Sequence, residues 1–90
     1  MVDASFAGNR LPEYPAMSRR LGEQGVVVLR VLIGADGTAG DVQLIRSSGS
    51  ARLDRSAMES IRQWRFVPAV KGGKPVSAWY EWQWEFRLSG

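Results

Sequence analysis

Three sets of residues in this 90-residue chain have types and spacings that suggest chemistry. Asp36, Asp41 and Asp54 offer carboxylates to a hard cation. Trp79, Trp82 and Trp84 lie within six residues and suggest a stacking platform for bases or sugars. Gly34, Gly37 and Gly40 form a GxxGxxG run of the kind that lets backbone approach a phosphate, but the spacing matches no phosphate loop and the run sits in a hairpin rather than ahead of a helix. The aspartates lack ligand spacing and suit turn and cap positions better. Ser48 has no histidine or lysine near it to act as its base. The chain contains no histidine and no cysteine, which removes the commonest general base, thiolate chemistry, disulfides and most zinc or copper sites. No cofactor or metal is expected, and an enzyme is the weakest reading.

The tryptophans divide by parity. Trp82 and Trp84 share a face with Val76 and Phe86 and read as core, whereas Trp79 falls on the opposite, wet face and stays a candidate contact. Trp64, at a helix end, also reads as core.

Apolar residues make up 44% of the chain and charged residues 23%, a balance that predicts one packed domain and leaves no room for two. Ten arginines and two lysines oppose nine acids, giving a formal charge of +3, but the signs are interspersed. That distribution favours solubility and falls short of the basic stripe of a nucleic-acid binder. No apolar stretch approaches the roughly 18 residues of a membrane span, and the first residues lack the apolar run of a signal peptide.

The elements that must position these side chains follow from periodicity. Residues 1–11 show none and read as a flexible lead-in; the domain is placed at 12–90. Pro15 to Leu21 reads as a short helix, with Gly22 just past its end. Val26 to Ile33 is apolar on both faces except at Arg30 and reads as a central strand. Turn residues at Ala35-Asp36-Gly37-Thr38 lead into a second strand over Asp41 to Ser47, making a hairpin. Leu53, Ala57, Ile61 and Trp64 recur on one helical face, with Asp54 or Ser50 as N-cap, and Arg55 and Glu59 stand four apart on the exposed side. Lys71-Gly72-Gly73-Lys74-Pro75 reads as a polar turn. From Val76 to Leu88 apolar and polar residues alternate, broken only by Trp79, which predicts a last strand of about 13 residues, roughly 43 Å long. The expected fold is α+β: a three-stranded antiparallel sheet of order 2-1-3, with two helices packed on one face.

In that topology the last strand has a free outer edge. Edges are ordinarily blunted by proline, lysine or bulges, and between Val76 and Leu88 only Glu81, Glu85 and Arg87 serve this end. The pattern leaves three outcomes open: a guest peptide adding a strand, a second copy of the chain pairing there as a homodimer, or an edge left unused.

These pieces, in order and spacing, resemble the C-terminal domain family of TonB, the energy transducer of Gram-negative bacteria. The resemblance is carried by Tyr14-Pro15-Ala16, Gly25-Val26-Val27-Val28, Asp36-Gly37, Asp41-Val42-Gln43, Ser47-Ser48-Gly49, Leu53-Asp54, Trp64-Arg65-Phe66-x-Pro68 and Phe86, and covers about Pro12 to Leu88. It implies a periplasmic domain of an inner-membrane-anchored protein, with the anchor and a proline-rich spacer outside this chain. It implies binding of the TonB box of outer-membrane receptors for siderophores, haem or vitamin B12. It also implies force drawn from the proton gradient through a complex like ExbB and ExbD. Carried over by position, the peptide-pairing segment would be Tyr80, Glu81, Trp82, Gln83, Trp84, Glu85, Phe86 and Arg87, with Trp79 the candidate contact beside it, and Asn9, Arg10 and Leu11 would form a second receptor contact. Leu11 and Met17 stand where the familiar enterobacterial form has glutamine and arginine, which implies different side-chain contacts around the box. A TolA-like envelope domain is the competing reading within the fold, and a small nucleic-acid-binding module is the competitor outside it.

Overall fold

The computed structural model describes residues 8–88. Residues 1–7, most of the expected lead-in, lie outside the described residues. The elements run α1 (Ala16–Leu21), β1 (Gly25–Ile33), β2 (Ala39–Arg46), α2 (Ala51–Arg62), β3 (Ala69–Lys71), β4 (Lys74–Val76) and β5 (Ala78–Phe86).

A three-stranded antiparallel sheet has the order β2-β1-β5, as the apolar character of β1 predicts. Strand β1 buries Val27, Leu29, Val31 and Ile33 completely on one face, while the alternating residues on its other face are half-buried. Helix α2 lies over β1 and β2 and contributes Leu53, Ala57 and Ile61 to the same core, each fully buried. Twelve residues make a marginal helix in isolation, so α2 owes its stability to this docked face. Trp64, Phe66 and Phe86 complete the buried set. Helix α1 lies toward the same layer: Ser18 is fully buried and the neighbouring Tyr14 packs on Phe86.

The caps decide two boundaries. Gly22 ends α1 in the left-handed region at φ 68°, returning its N–H to the last turn. Ser50, rather than Asp54, caps α2, its hydroxyl accepting from the Leu53 N–H. Asp54 sits in the first turn instead and ties the preceding loop to the helix, accepting from the Ser47 hydroxyl and from both the N–H and the hydroxyl of Ser48.

The last strand differs from the sequence reading. It has nine residues, not about 13, and matches β1 in length. Val76 belongs to β4, which pairs with β3 in a separate two-stranded ribbon. Gly72 and Gly73 turn that ribbon at φ 56° and 79°, the double positive φ of a tight hairpin that side-chain-bearing residues resist. Ser77 separates β4 from β5, and Arg87 and Leu88 follow the strand rather than extend it.

Candidate functional site

Strand β5 is paired along its whole length with β1, from Gly25 opposite Phe86 to Ile33 opposite Ala78, without a register break. On its other side no strand pairs with it among the described residues. Alternate N–H and C=O groups of an outer strand point away from the sheet, so nine regular residues present a row of backbone groups that no strand pairs among the described residues. The opposite edge is different. Strand β2 shifts register twice against β1, between Val28 and Leu29 and between Val31 and Ile33, and such bulges bend a strand out of line. Of the two edges, β5 is the one with regular geometry.

Its two flanks have opposite character. On the core side Tyr80, Trp82 and Trp84 are half-buried and packed against the core. Their rings form a chain: Tyr80 lies 5.7 Å from Phe66, Trp82 lies 4.8 Å from Trp64 and 5.9 Å from Trp84, and Trp84 lies 6.4 Å from Phe86. Helix α2 packs against β1 and β2, which leaves this aromatic row at the rim of the core. The indole N–H of Trp84 is buried without a hydrogen-bond partner among the described residues. On the wet side Trp79, Glu81, Gln83 and Glu85 are exposed, Trp79 at 42%. Arg30 reaches across from β1 and sets its guanidinium 4.7 Å over the Trp79 ring. Arg87 is exposed just past the strand, and the next N–H, that of Leu88, donates to the Gln24 side chain at 2.9 Å.

Asn9, Arg10 and Leu11 occupy a different face. The Asn9 side chain donates to the Arg65 carbonyl at 2.9 Å and accepts from the Arg65 N–H at 2.8 Å, imitating a strand pair. The Arg10 carbonyl accepts from the Ser60 hydroxyl and from the Trp64 indole, both at 2.7 Å, and the Glu13 carbonyl accepts from the Ser56 hydroxyl. Ser56, Ser60 and Trp64 stand at four-residue intervals, so one stripe of α2 and its exit straps down this segment. Leu11 stays 63% exposed. Trp64 is the link between the two regions, because it holds the Arg10 carbonyl with its indole N–H and packs its ring on Trp82. Trp64 thus does more than fill the core, and the serine stripe that joins it has a helical spacing beside an indole that is visible in the sequence.

A polar knot lies at the far end of the sheet. Glu23 accepts from the Ser50 hydroxyl at 2.9 Å and pairs with Arg52 at 3.5 Å. The nearby Ser18 hydroxyl, then Ser50 and Arg52, hold its carboxyl below the ordinary value against some opposition from burial. For Asp54 burial is the largest influence and opposes ionisation, yet the bonds from Ser47 and Ser48 outweigh it and hold the carboxyl low. Asp36 is lowered by the Thr38 hydroxyl and N–H, which close the β1–β2 turn. Asp36 and Asp54 therefore do local structural work. Arg55 and Glu59 form no ion pair among the described residues. A surface depression of about 280 Å³ lies between Glu13 and Pro15 on one side and Arg52, Arg55, Ser56 and Glu59 on the other, away from the β5 edge.

A family model described as the Gram-negative bacterial TonB protein C-terminal matches residues 10–88. The chain belongs to the TonB C-terminal family. Protein tonB2 of Pseudomonas aeruginosa is 38% identical over 88 residues, covering 98% of this chain and 33% of its own length. The TonB protein of Vibrio cholerae is 38% identical over 79 residues, covering 88% of this chain and 32% of its own length. The solution structure of a Pseudomonas aeruginosa TonB C-terminal domain superposes with a TM-score of 0.78 at 32% identity, covering 91% of this chain and 83% of that one. This TonB domain thus spans about a third of the length of the curated relatives it matches. Among its described residues no helix is long and apolar enough to cross a membrane.

Proposed function

We propose that this TonB domain is the periplasmic, receptor-binding end of an energy transducer, and that it takes the TonB box of outer-membrane transporters as an added strand on β5. The observation that carries this reading is the regular outer edge of β5, unpaired among the described residues, in a chain of this family. Backbone bonds along the edge supply affinity, and the flanking side chains from Trp79 to Phe86, with Arg87 beyond them, supply register and choice. Asn9, Arg10 and Leu11, strapped to α2 and linked through Trp64 to Trp82, form the second receptor contact. The rest of the protein supplies the inner-membrane anchor and the contact with an ExbB/ExbD-like complex.

The mechanical part of the reading follows from the ladder. A guest strand pulled along its own length loads several backbone bonds together, whereas one pulled from its end at right angles breaks them in turn. Nine residues of β5 give a ladder of roughly 30 Å, matched on the other side by the unbroken β1 pairing. Force derived from the proton gradient would then reach the receptor through this sheet.

Amide shift mapping with TonB-box peptides tests the proposal. Shifts concentrated on residues 79–87 are the expected result. Shifts confined to α1 and α2, or saturable binding with none on β5, would overturn it.

A further inference from the structure

The side chains flanking the free edge restrict which extended segment fits it, an inference that rests on the strand-addition reading above. A guest strand lying beside β5 must continue both flanks. On the core side it would meet Tyr80, Trp82 and Trp84, partly buried rings that pack against the core and keep some surface exposed at its rim. Apolar side chains there would remove aromatic surface from water, while charged ones would lose hydration against it.

The wet side imposes the charge. Glu81 and Glu85 are exposed and stand four residues apart on one strand, hence on one face, with Gln83 between them. Arg30 is the cross-strand partner of Glu81 in the β1 ladder, but its guanidinium lies over Trp79 instead. The one ion pair among the described residues is Glu23 with Arg52, so neither Glu81 nor Glu85 is engaged in an ion pair. Although the chain as a whole is cationic at +3, the outer strand carries two acids and no base between Ala78 and Phe86. An incoming strand places its own outward side chains next to these carboxylates, within the 4.5–5.5 Å Cβ separation at which opposite charges attract and like charges repel.

We propose that the β5 edge selects an extended segment with apolar side chains facing the Tyr80–Trp82–Trp84 row and cationic side chains at two outward positions four residues apart, opposite Glu81 and Glu85. The spacing also sets register, because a slip of two residues brings at least one cation opposite Gln83 or past the acidic pair.

Three capped nine-residue peptides test this against the isotope-labelled domain at low ionic strength. Each has valine at the inward positions and threonine at the outward ones, except that positions three and seven are both lysine, both serine or both glutamate. The lysine peptide is expected to bind about three- to tenfold more tightly than the serine peptide, and the glutamate peptide correspondingly more weakly. The order should flatten in 0.5 M salt and in the double variant Glu81→Gln/Glu85→Gln, with the serine peptide unchanged. Equal affinities with shifts on β5 would overturn the charge selection and leave strand addition standing. A lysine preference that survives in the double variant would overturn the assignment to these carboxylates. Absence of β5 shifts with all three peptides would remove both readings.

Discussion

Tyr14 sets its ring edge-to-face against Phe86, the centroids 5.4 Å apart and the planes at 82°, which joins the chain's entry into the fold to the last residue of β5. The Tyr14 hydroxyl also donates to the Glu23 carbonyl, so one side chain ties the entry, the α1–β1 loop and the proposed docking strand together.

That arrangement predicts a measurable coupling. Tyr14→Phe should cost about 1 kcal/mol through the lost hydrogen bond, and Phe86→Ala about 3 to 4 kcal/mol. A double-mutant cycle between Tyr14→Leu and Phe86→Leu, followed by urea denaturation, should return an interaction of about 0.5 to 1.5 kcal/mol. Additive effects would mean that the ring contact contributes nothing beyond burial.

The strap on α2 should open independently of the sheet. Its bonds come from single side chains, and removing the Ser56 and Ser60 hydroxyls leaves Trp64 and the rest of the apolar core in place. Ser56→Ala combined with Ser60→Ala should therefore speed tryptic cleavage after Arg10 by about tenfold or more, since each bond is worth about 1 kcal/mol. The urea midpoint should fall far less. Unchanged cleavage would show that the Trp64 indole and the Asn9–Arg65 pairing hold the segment without the serines.

Two glycines with similar backbone angles should respond differently to alanine. Gly37, at φ 83°, would place a Cβ 2.3 Å from the Phe66 carbonyl oxygen, whose residue donates its own N–H to the Gly37 carbonyl. Gly72, at φ 56°, has open space around it. Both substitutions incur the left-handed cost of about 1 kcal/mol, and Gly37→Ala should lose about 2 kcal/mol more as the β1–β2 turn is pushed off Phe66. Thermal melts of the two variants check this difference.

Acid should weaken the fold through Asp54. Its carboxyl is held below the ordinary value in the folded state, so the native protein binds fewer protons than the unfolded chain near that range. The stabilisation is present above the unfolded value of about 4 and is lost as pH falls through the folded one. Asp54→Asn should be less stable than the parent by about 2 kcal/mol at pH 7, and the gap should narrow steadily between pH 5 and pH 2. Urea midpoints across that range give the answer; a constant gap would place the loss in packing rather than charge.

What the sequence conveyed and what it withheld divide along physical lines. Leu53, Ala57, Ile61 and the alternating residues of β1 declared their faces because burial imposes a period, and the order β2-β1-β5 followed from which strand was apolar on both sides. The break at Ser77 left no such mark. Val76 keeps the parity of β5 while pairing with Ala69 in another ribbon, so the alternation ran through a change of partner and made the last strand look longer than it is. Gly72-Gly73 was a hairpin signal, read as a turn but not as one with strands of its own, since three-residue strands carry too few side chains to show a period. The links from Ser56, Ser60 and Trp64 to main-chain carbonyls depend on where backbone comes to rest, and residue types do not encode that.

The absence of cysteine from the chain allows the proposed docking geometry to be read residue by residue. In a strand pair, side chains directly opposite each other share a face, and their Cβ atoms come close enough for a disulfide with little backbone movement. Glu81→Cys, Gln83→Cys and Glu85→Cys all lie on the wet flank of β5, so each should cross-link to a cysteine at an outward position of a bound guest peptide and not to one at an inward position. Moving the protein cysteine by two residues should move the preferred peptide position by two, in the direction that reports whether the guest runs parallel or antiparallel. Val28→Cys, on the same face but one strand further in, should give several-fold lower yield, because the guest lies two strand spacings of roughly 4.8 Å away. Cross-linking without parity, or equal yield at Val28, would mean that the peptide lies across the open sheet face instead of extending its edge.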